Sequence, residues 1–136
     1  MQRALSTYLF VGQKLTAGIL AEIERAGIPA VELFCARPHF DYRSVEVVRE
    51  LKEWFAEHGL KIHSLHSPTS RDQSEWREST APISIAEPER VRRLDAVDEV
   101  KRSLEVAEQI PFLYLVQHLG GREAMDERRR DAAFSS

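Results

Sequence analysis

Two apolar runs, each followed or closed by a histidine, decide the fold of this chain: residues 60–68 (LKIHSLHSP) and residues 112–121 (FLYLVQHLGG). Both runs are short and end in turn residues, as buried parallel strands do. His66 and His118 stand at the carboxyl ends of these strands. Because ligands bind beyond the carboxyl ends of parallel strands in α/β proteins, the chemistry of the chain is predicted at these two histidines.

Working outward from the histidine strands, apolar segments of strand length alternate with longer segments of helical period. Earlier strands are predicted at residues 5–10 and 28–34, and helices at 15–26, 44–59 and 88–110. This order is typical of successive βα units with a parallel sheet. Helix–strand junctions at Gly27, Gly59 and Gln109 suggest that one unit is repeated along the chain.

Local signals fix the ends and the buried faces of the predicted helices. Gly27 has the place of a C-terminal glycine, Ser44 that of an N-cap, and Pro88 that of a first helical residue. The stripe predicted to be buried on the second helix is Val47, Val48, Leu51, Trp54 and Phe55, and that on the third is Val91, Leu94, Val97, Val100, Leu104 and Ala107.

The predicted architecture is a single domain over residues 1–136, with four βα units and a long polar loop at about residues 67–87. One arrangement of these units is a parallel sheet with all its helices on one face. A flavodoxin-like doubly wound sheet is the alternative, and it would place helices on both faces.

Strand alternation sorts the polar residues between the two faces of the sheet. Glu32 shares a face with Ala30 and Phe34, and His66 shares one with Ser64. His118 shares a face with Val116 and Tyr114, whereas His63 has the opposite parity from His66 and is predicted to face the helices. Glu32, His66 and His118 are therefore expected to converge near the carboxyl edge of the sheet.

Three further residues, His39, Trp76 and Cys35, could have a functional or a structural role. His39 lies in the loop after the second strand, where it contributes to a binding pocket or is an exposed loop residue. Trp76, in the long loop, is either a lid over a sugar or part of a loop without fixed structure. Cys35, the single cysteine, is expected to be a free, half-buried thiol, which suits a reducing compartment.

Composition excludes several classes of partner. The net charge is -3 and the hydrophobic fraction is 43%, so there is a core but no basic field for nucleic acid or an anionic membrane. The arginines at 128–130 are flanked by acidic residues, as on a solvated helix face. Without a spanning segment or a signal-peptide pattern, a cytoplasmic location is expected.

Residues 31–33 (VEL), 65–68 (LHSP) and 117–121 (QHLGG) resemble the xylose isomerase-like TIM barrels, which include sugar isomerases, epimerases and apurinic-site endonucleases. The resemblance implies a sugar or sugar phosphate as substrate and a divalent metal, Zn, Mn or Mg. In isomerases and epimerases it implies that later strands hold the metal and that Glu32, His66 and His118 line the substrate pocket. His39 and Trp76 are added as substrate-binding candidates from their positions in loops. In the endonucleases it implies that His66 and His118 are zinc ligands, although that branch has proline where Leu119 stands.

A complete barrel needs eight βα units, and four are predicted. The chain is therefore expected to be the N-terminal half of a barrel, truncated or completed by another chain. Two histidines do not complete a zinc site, so the chain is expected to bind no metal and to be inactive alone. Free strand edges and an exposed barrel face predict a homodimer or higher assembly.

Two hypotheses follow for the function. The chain derives from a metal-dependent sugar isomerase or epimerase, which transfers a proton next to a polarised carbonyl. Alternatively, it is a non-catalytic half-barrel that associates with itself. Whether the chain is an enzyme is left open by the sequence.

Overall fold

The computed structural model of the chain describes residues 3–70 and 82–119. Trp76 and the arginines at 128–130 lie outside these ranges, and the predictions for them stay untested.

The core of the fold is a four-stranded parallel sheet in the order β1-β2-β3-β4. The strands are β1 Leu5–Ser6, β2 Ala30–Phe34, β3 Lys61–His66 and β4 Tyr114–Val116. Three α-helices connect them: α1 Ala17–Arg25, α2 Val45–Glu57 and α3 Arg90–Leu104. Each strand pairs with the next one in the sequence, as in a barrel wall.

The helices pack on one face of the sheet. A single core joins Val31, Leu33 and Leu65 from the strands to side chains around each helix: Leu15, Ile19, Leu20 and Ile23 for α1, Val48, Leu51 and Phe55 for α2, and Val106 and Ile110 beyond α3. Phe34 belongs to a separate cluster with Val11 and Ala36. This one-sided arrangement confirms the half-barrel and excludes the doubly wound sheet for the described residues.

The local signals at α1 and α2 are confirmed. Gly27 follows α1 with φ of 73°, a conformation that disfavours any side chain. Ser44 caps α2, because its hydroxyl accepts a hydrogen bond from the Val47 amide at 3.3 Å. Thr16 caps α1 in the same way, accepting from the Ile19 amide. None of the helices in the described ranges is both long and apolar enough to cross a bilayer.

The first strand is shorter than predicted. Only Leu5 and Ser6 pair with β2, and Thr7–Phe10 forms a 3-10 helix instead. The Ser6 hydroxyl caps this helix, and the Thr7 hydroxyl accepts a hydrogen bond from the Phe34 amide at 2.9 Å. These two hydroxyls therefore end the strand, because each accepts a hydrogen bond from a backbone amide that a longer β1 would have needed for pairing.

The predicted buried face of α3 is wrong. Val91 and Leu94 are exposed, and the buried residues of the helix are Ala96, Glu99 and Ser103. Glu99 accepts hydrogen bonds from the Tyr42 hydroxyl and the Arg43 guanidinium. These polar contacts select the buried face, which lies about a quarter turn from the face that apolar periodicity predicts. Val97 and Val100 of the predicted stripe are half-buried. Pro88 lies two residues before the helix, which begins at Arg90.

A bulge interrupts β3. Ile62 pairs with Val31 and Ser64 pairs with Glu32, which leaves His63 as an extra residue. The His63 ring lies 5.1 Å from the Tyr114 ring, and Tyr114 is paired with Ser64 on the face that carries Glu32. The prediction that His63 faces the helices is therefore wrong, because one inserted residue shifts the alternation on which it depended.

Candidate functional site

Four rings, one from each strand end, line up along the carboxyl edge of the sheet. Tyr8 follows β1, Phe34 ends β2, His66 ends β3 and His118 follows β4. The centroids of successive rings are 4.9 Å, 4.7 Å and 4.9 Å apart. Because the strands are parallel and in register, their ends bring side chains that are distant in sequence into a continuous aromatic wall.

This aromatic wall borders a cavity of about 480 Å³ on the face opposite the helices. The other described residues that line the cavity are Ser6, Leu9, Glu32 and Thr69. The volume is in the range of small-molecule sites. Two smaller cavities, of about 220 and 270 Å³, lie among the helices and are lined by neither the four rings nor Glu32.

The two histidines point their Nε2 atoms at each other at 3.2 Å. The Nδ1 atom of His66 lies 2.8 Å from the Ser67 carbonyl oxygen, which can only accept a hydrogen bond. Neutral His66 therefore carries its proton on Nδ1 and has a lone pair on Nε2, facing His118. A hydrogen bond between the imidazoles requires the proton on the His118 nitrogen.

The same geometry fits two ligands of one metal ion. Two nitrogens bound tetrahedrally to zinc at about 2.0–2.1 Å lie about 3.3 Å apart, close to the 3.2 Å found here. The bond from His66 Nδ1 to a backbone carbonyl is also the usual outer contact of a metal-bound histidine. No group of three ligand side chains forms among residues 3–70 and 82–119, so these two histidines would supply only part of a coordination sphere.

Glu32 is held by two serine hydroxyls. Ser6 donates to Oε1 at 2.7 Å and Ser64 donates to Oε2 at 3.3 Å. Each carboxylate oxygen keeps a further lone pair, and the side chain borders the cavity. The arrangement fixes the carboxylate in place while leaving acceptor positions for a ligand.

The charge of the cavity lining is distinctive. Among its described residues, Glu32 is the one carboxylate, and there is no lysine or arginine. A ligand in this cavity meets hydroxyls, rings and one acidic group.

The structure brings three of the predicted site residues together. Glu32, His66 and His118 all line the cavity, on the face that strand alternation predicted. Their roles toward a ligand stay predictions.

His39 is placed elsewhere. Its side chain is buried and is not among the residues that line the cavity. Its Nδ1 atom lies 2.7 Å from the Gln13 carbonyl oxygen, so the imidazole ties two loops together. The alternative that it is an exposed loop residue is also wrong, since His39 is only 1% exposed. Trp76 is outside the described residues.

Sequence reasoning missed Tyr8 and Ser6. Both were assigned to a strand at residues 5–10, which hides their position at the cavity. The signal was present in the adjacent Ser6 and Thr7, because hydroxyl side chains that bond to nearby backbone favour the end of a strand.

The parallel wall, its one-sided helices and the ligand-sized cavity at the strand ends define one half of a (βα)8 barrel with its site in the usual place. A comparison with family models agrees: residues 20–135 match the xylose isomerase-like TIM barrel. The chain belongs to this family. A comparison with curated proteins finds no match.

Proposed function

We propose that this chain supplies half of the active site of a metal-dependent sugar isomerase or epimerase. The observation that carries the proposal is the His66–His118 pair, whose Nε2 atoms are 3.2 Å apart beside Glu32 in the cavity. Membership of the family supports the class of reaction.

In this proposal His66 and His118 hold a divalent cation through their Nε2 atoms. The cation supplies polarisation of a substrate carbonyl, which makes the neighbouring C–H more acidic. The Ser67 carbonyl fixes the His66 tautomer, and Ser6 and Ser64 hold Glu32 where it can accept hydrogen bonds from the substrate. The aromatic wall excludes water from one side of the ligand.

Two imidazoles do not hold a catalytic cation tightly, because such sites use three or more protein ligands. The remaining ligands come from outside the described strands, in a further part of the barrel or in a partner. We therefore expect weak metal binding and no turnover from these four strands alone.

A zinc-dependent apurinic-site endonuclease is the second candidate, and the histidine pair favours it as well. The cavity lining opposes it, since proteins that bind DNA neutralise its phosphates with lysine and arginine, and none is among the described residues that line this cavity. The net charge of -3 points the same way. A non-catalytic half-barrel is the third candidate, and it requires neither metal binding nor turnover.

Metal binding by the histidine pair is tested with Co²⁺, followed by its visible absorption and by imidazole NMR signals. We expect His66→Ala and His118→Ala each to weaken binding by about tenfold or more, as for the loss of one of few ligands. His58→Ala is the matched control, because His58 stacks on Trp54 at 3.9 Å, away from the cavity.

Equal Co²⁺ binding by all three variants would contradict the proposed metal site. Turnover is measured separately, as exchange of the proton next to the carbonyl of a ketose in D₂O. Exchange by this chain with stoichiometric metal would show that the site is complete, and it would exclude the non-catalytic half-barrel.

A further inference from the structure

We infer that His39 is a pH-sensitive latch, which holds the edge loop, residues 8–14, against the sheet at neutral pH and releases it in acid. Two residues of the edge loop, Tyr8 and Leu9, line the cavity. The inference goes beyond the proposed function, since it concerns access to the cavity whatever ligand binds there. It depends on how weakly the loop is packed, on the hydrogen bond that a buried imidazole makes to it, and on the cost of charging that imidazole.

Few apolar contacts hold the edge loop. Most of its residues are exposed; Phe10 is half-buried against the main core, and Val11 belongs to the small cluster that is separate from that core. The residues on either side of the loop, Thr7 and Leu15, are buried. Segments with few buried apolar contacts open locally, at a smaller free energy than global unfolding requires. The edge loop can therefore open between two fixed ends while the sheet stays intact.

His39 ties the edge loop to the segment between β2 and α2. Its Nδ1 atom donates to the Gln13 carbonyl oxygen at 2.7 Å. Within the loop, the Val11 amide donates to the Tyr8 carbonyl, and the Gln13 amide donates to the Phe10 carbonyl, each at 3.0 Å. Such short turns are not stable in water without packing, so the loop forms or opens as one unit. The bond at Gln13 therefore also restrains the residues that line the cavity.

A charge on His39 opposes the closed loop. The side chain is 1% exposed, and burial lowers its pKa below the ordinary value of 6.5, against a smaller opposing effect of the Gln13 and Phe10 carbonyls. When the loop is open, water reaches the imidazole and its pKa returns to the ordinary value. Acidification below about pH 6.5 therefore favours the open loop, until the pH reaches the pKa of the closed form.

The other ionisable groups around His39 do not account for the switch. Burial raises the pKa of Cys35 and of Tyr42, so both stay protonated in acid. Charged side chains stand on each neighbouring segment: Lys14 on the edge loop, Arg37 and Asp41 as an ion pair beside His39, and Glu99 on α3, bonded to Tyr42 and Arg43. Among the described residues, none of these charges contributes to the pKa of His39.

Hydrogen exchange followed by NMR on the whole chain, without added metal, tests the latch. The reporters are the amides of Val11, Gln13 and Leu15, the last of which donates to the His39 carbonyl at 2.7 Å. After correction for intrinsic exchange, their protection should fall by up to about tenfold between about pH 7.5 and about pH 5.5. At both pH values they should be at least about tenfold less protected than the amides of β2 and β3.

His39→Gln should hold the loop closed at both pH values, because glutamine still donates to the Gln13 carbonyl and takes up no proton. The fall in reporter protection should then be less than about twofold. His58→Gln is the matched control, since His58 bonds to the Trp54 carbonyl at the end of α2, away from the cavity, and should show the full fall. Both variants keep the histidine pair of the cavity, which separates its effect from that of His39.

Val11→Ala keeps the inference falsifiable if His39→Gln fails to fold. It weakens the apolar hold on the loop without touching the imidazole. Reporter protection should fall by about tenfold at both pH values, and the ratio between the two pH values should stay as in the unmodified chain.

Equal corrected protection of the reporters at the two pH values would overturn the inference. A full fall in His39→Gln would overturn it as well, because another group would then be the switch. Reporters protected as strongly as the sheet amides would show that the loop opens only when the whole fold does, which also contradicts the latch. None of these results touches the Co²⁺ experiment, which tests the proposed function through the histidine pair.

Discussion

His39 illustrates how a single buried imidazole holds the loops of the carboxyl edge. Its Nδ1 atom donates to the Gln13 carbonyl, and its own carbonyl accepts from the Leu15 amide at 2.7 Å. Its Nε2 atom is buried and has no hydrogen-bond partner among residues 3–70 and 82–119. Burial lowers the pKa of His39 below its ordinary value of 6.5, against a smaller opposing effect of the nearby carbonyls of Gln13 and Phe10.

The lowered pKa predicts a pH-dependent stability. The unfolded chain binds a proton at His39 more readily than the folded one, so the free energy of unfolding is highest above about pH 6.5 and falls as the pH drops through the folded-state pKa. We expect His39→Gln, which can still donate to Gln13, to flatten this fall. Urea denaturation at about pH 7.5 and about pH 5 measures it, and equal falls in the two proteins would show that His39 is not responsible.

At the residue scale, sequence reasoning works where a strand is regular. Alternation places Glu32, His66 and His118 correctly because β2 and the second half of β3 are free of irregularities. The prediction from alternation fails at His63, since nothing in the amino-acid sequence marks the bulge. It fails at His39 because a loop residue has no periodicity that reports burial.

At the scale of elements, α3 is held by polar contacts. Glu99 is buried against Tyr42 and Arg43, and Ala96 and Ser103 are small enough to bring the helix close. Burial is the largest effect in raising the pKa of Tyr42 to about 12, so its hydroxyl keeps the proton that it donates to Glu99. The helix is attached to the loop between β2 and α2 at this point.

We expect Glu99→Ala to lower the free energy of unfolding by about 2 kcal/mol, because it leaves the Tyr42 hydroxyl and Arg43 without their acceptor. Arg43 is partly exposed, which keeps the loss below that of a fully buried pair. Leu94→Ser, on the exposed stripe, should change the stability by less than about 0.5 kcal/mol. If urea denaturation showed a larger loss of stability for Leu94→Ser than for Glu99→Ala, the apolar face of α3 would be the buried one.

The elements themselves are largely predictable from the sequence, and their bounds less so. Ser44 and Gly27 mark helix ends by local bonding, which neighbouring segments do not alter. The face of α3 depends on Tyr42 and Arg43, more than 50 residues away from Glu99. A contact between residues this far apart in sequence leaves no signal in the spacing of apolar residues along the helix.

At the scale of the whole molecule, the sheet that residues 3–70 and 82–119 form is open at both edges. No further strand pairs with the outer edges of β1 and β4 within the described residues. Near the β4 edge Leu113 and Tyr114 are 69% and 59% exposed. Open edges flanked by apolar side chains associate readily. We therefore propose that a second copy covers this side, which is the homodimer expected from the sequence.

We expect light scattering after gel filtration to show a dimer whose fraction rises with protein concentration. Tyr114→Glu should shift it toward the monomer, because it places a charge beside the free edge of β4. Val45→Glu is the control, since Val45 is also exposed but stands at the start of α2, on the helix side. A monomer at all concentrations would contradict the proposal.

The buried thiol of Cys35 is a natural probe of local unfolding. Cys35 is the single cysteine, it is almost inaccessible, and burial raises its pKa well above the usual range. Alkylating reagents attack the thiolate, so the native protein resists them. The rate of labelling at this one sulfur therefore measures how often the packing between the sheet and its helices comes apart, with no engineered probe.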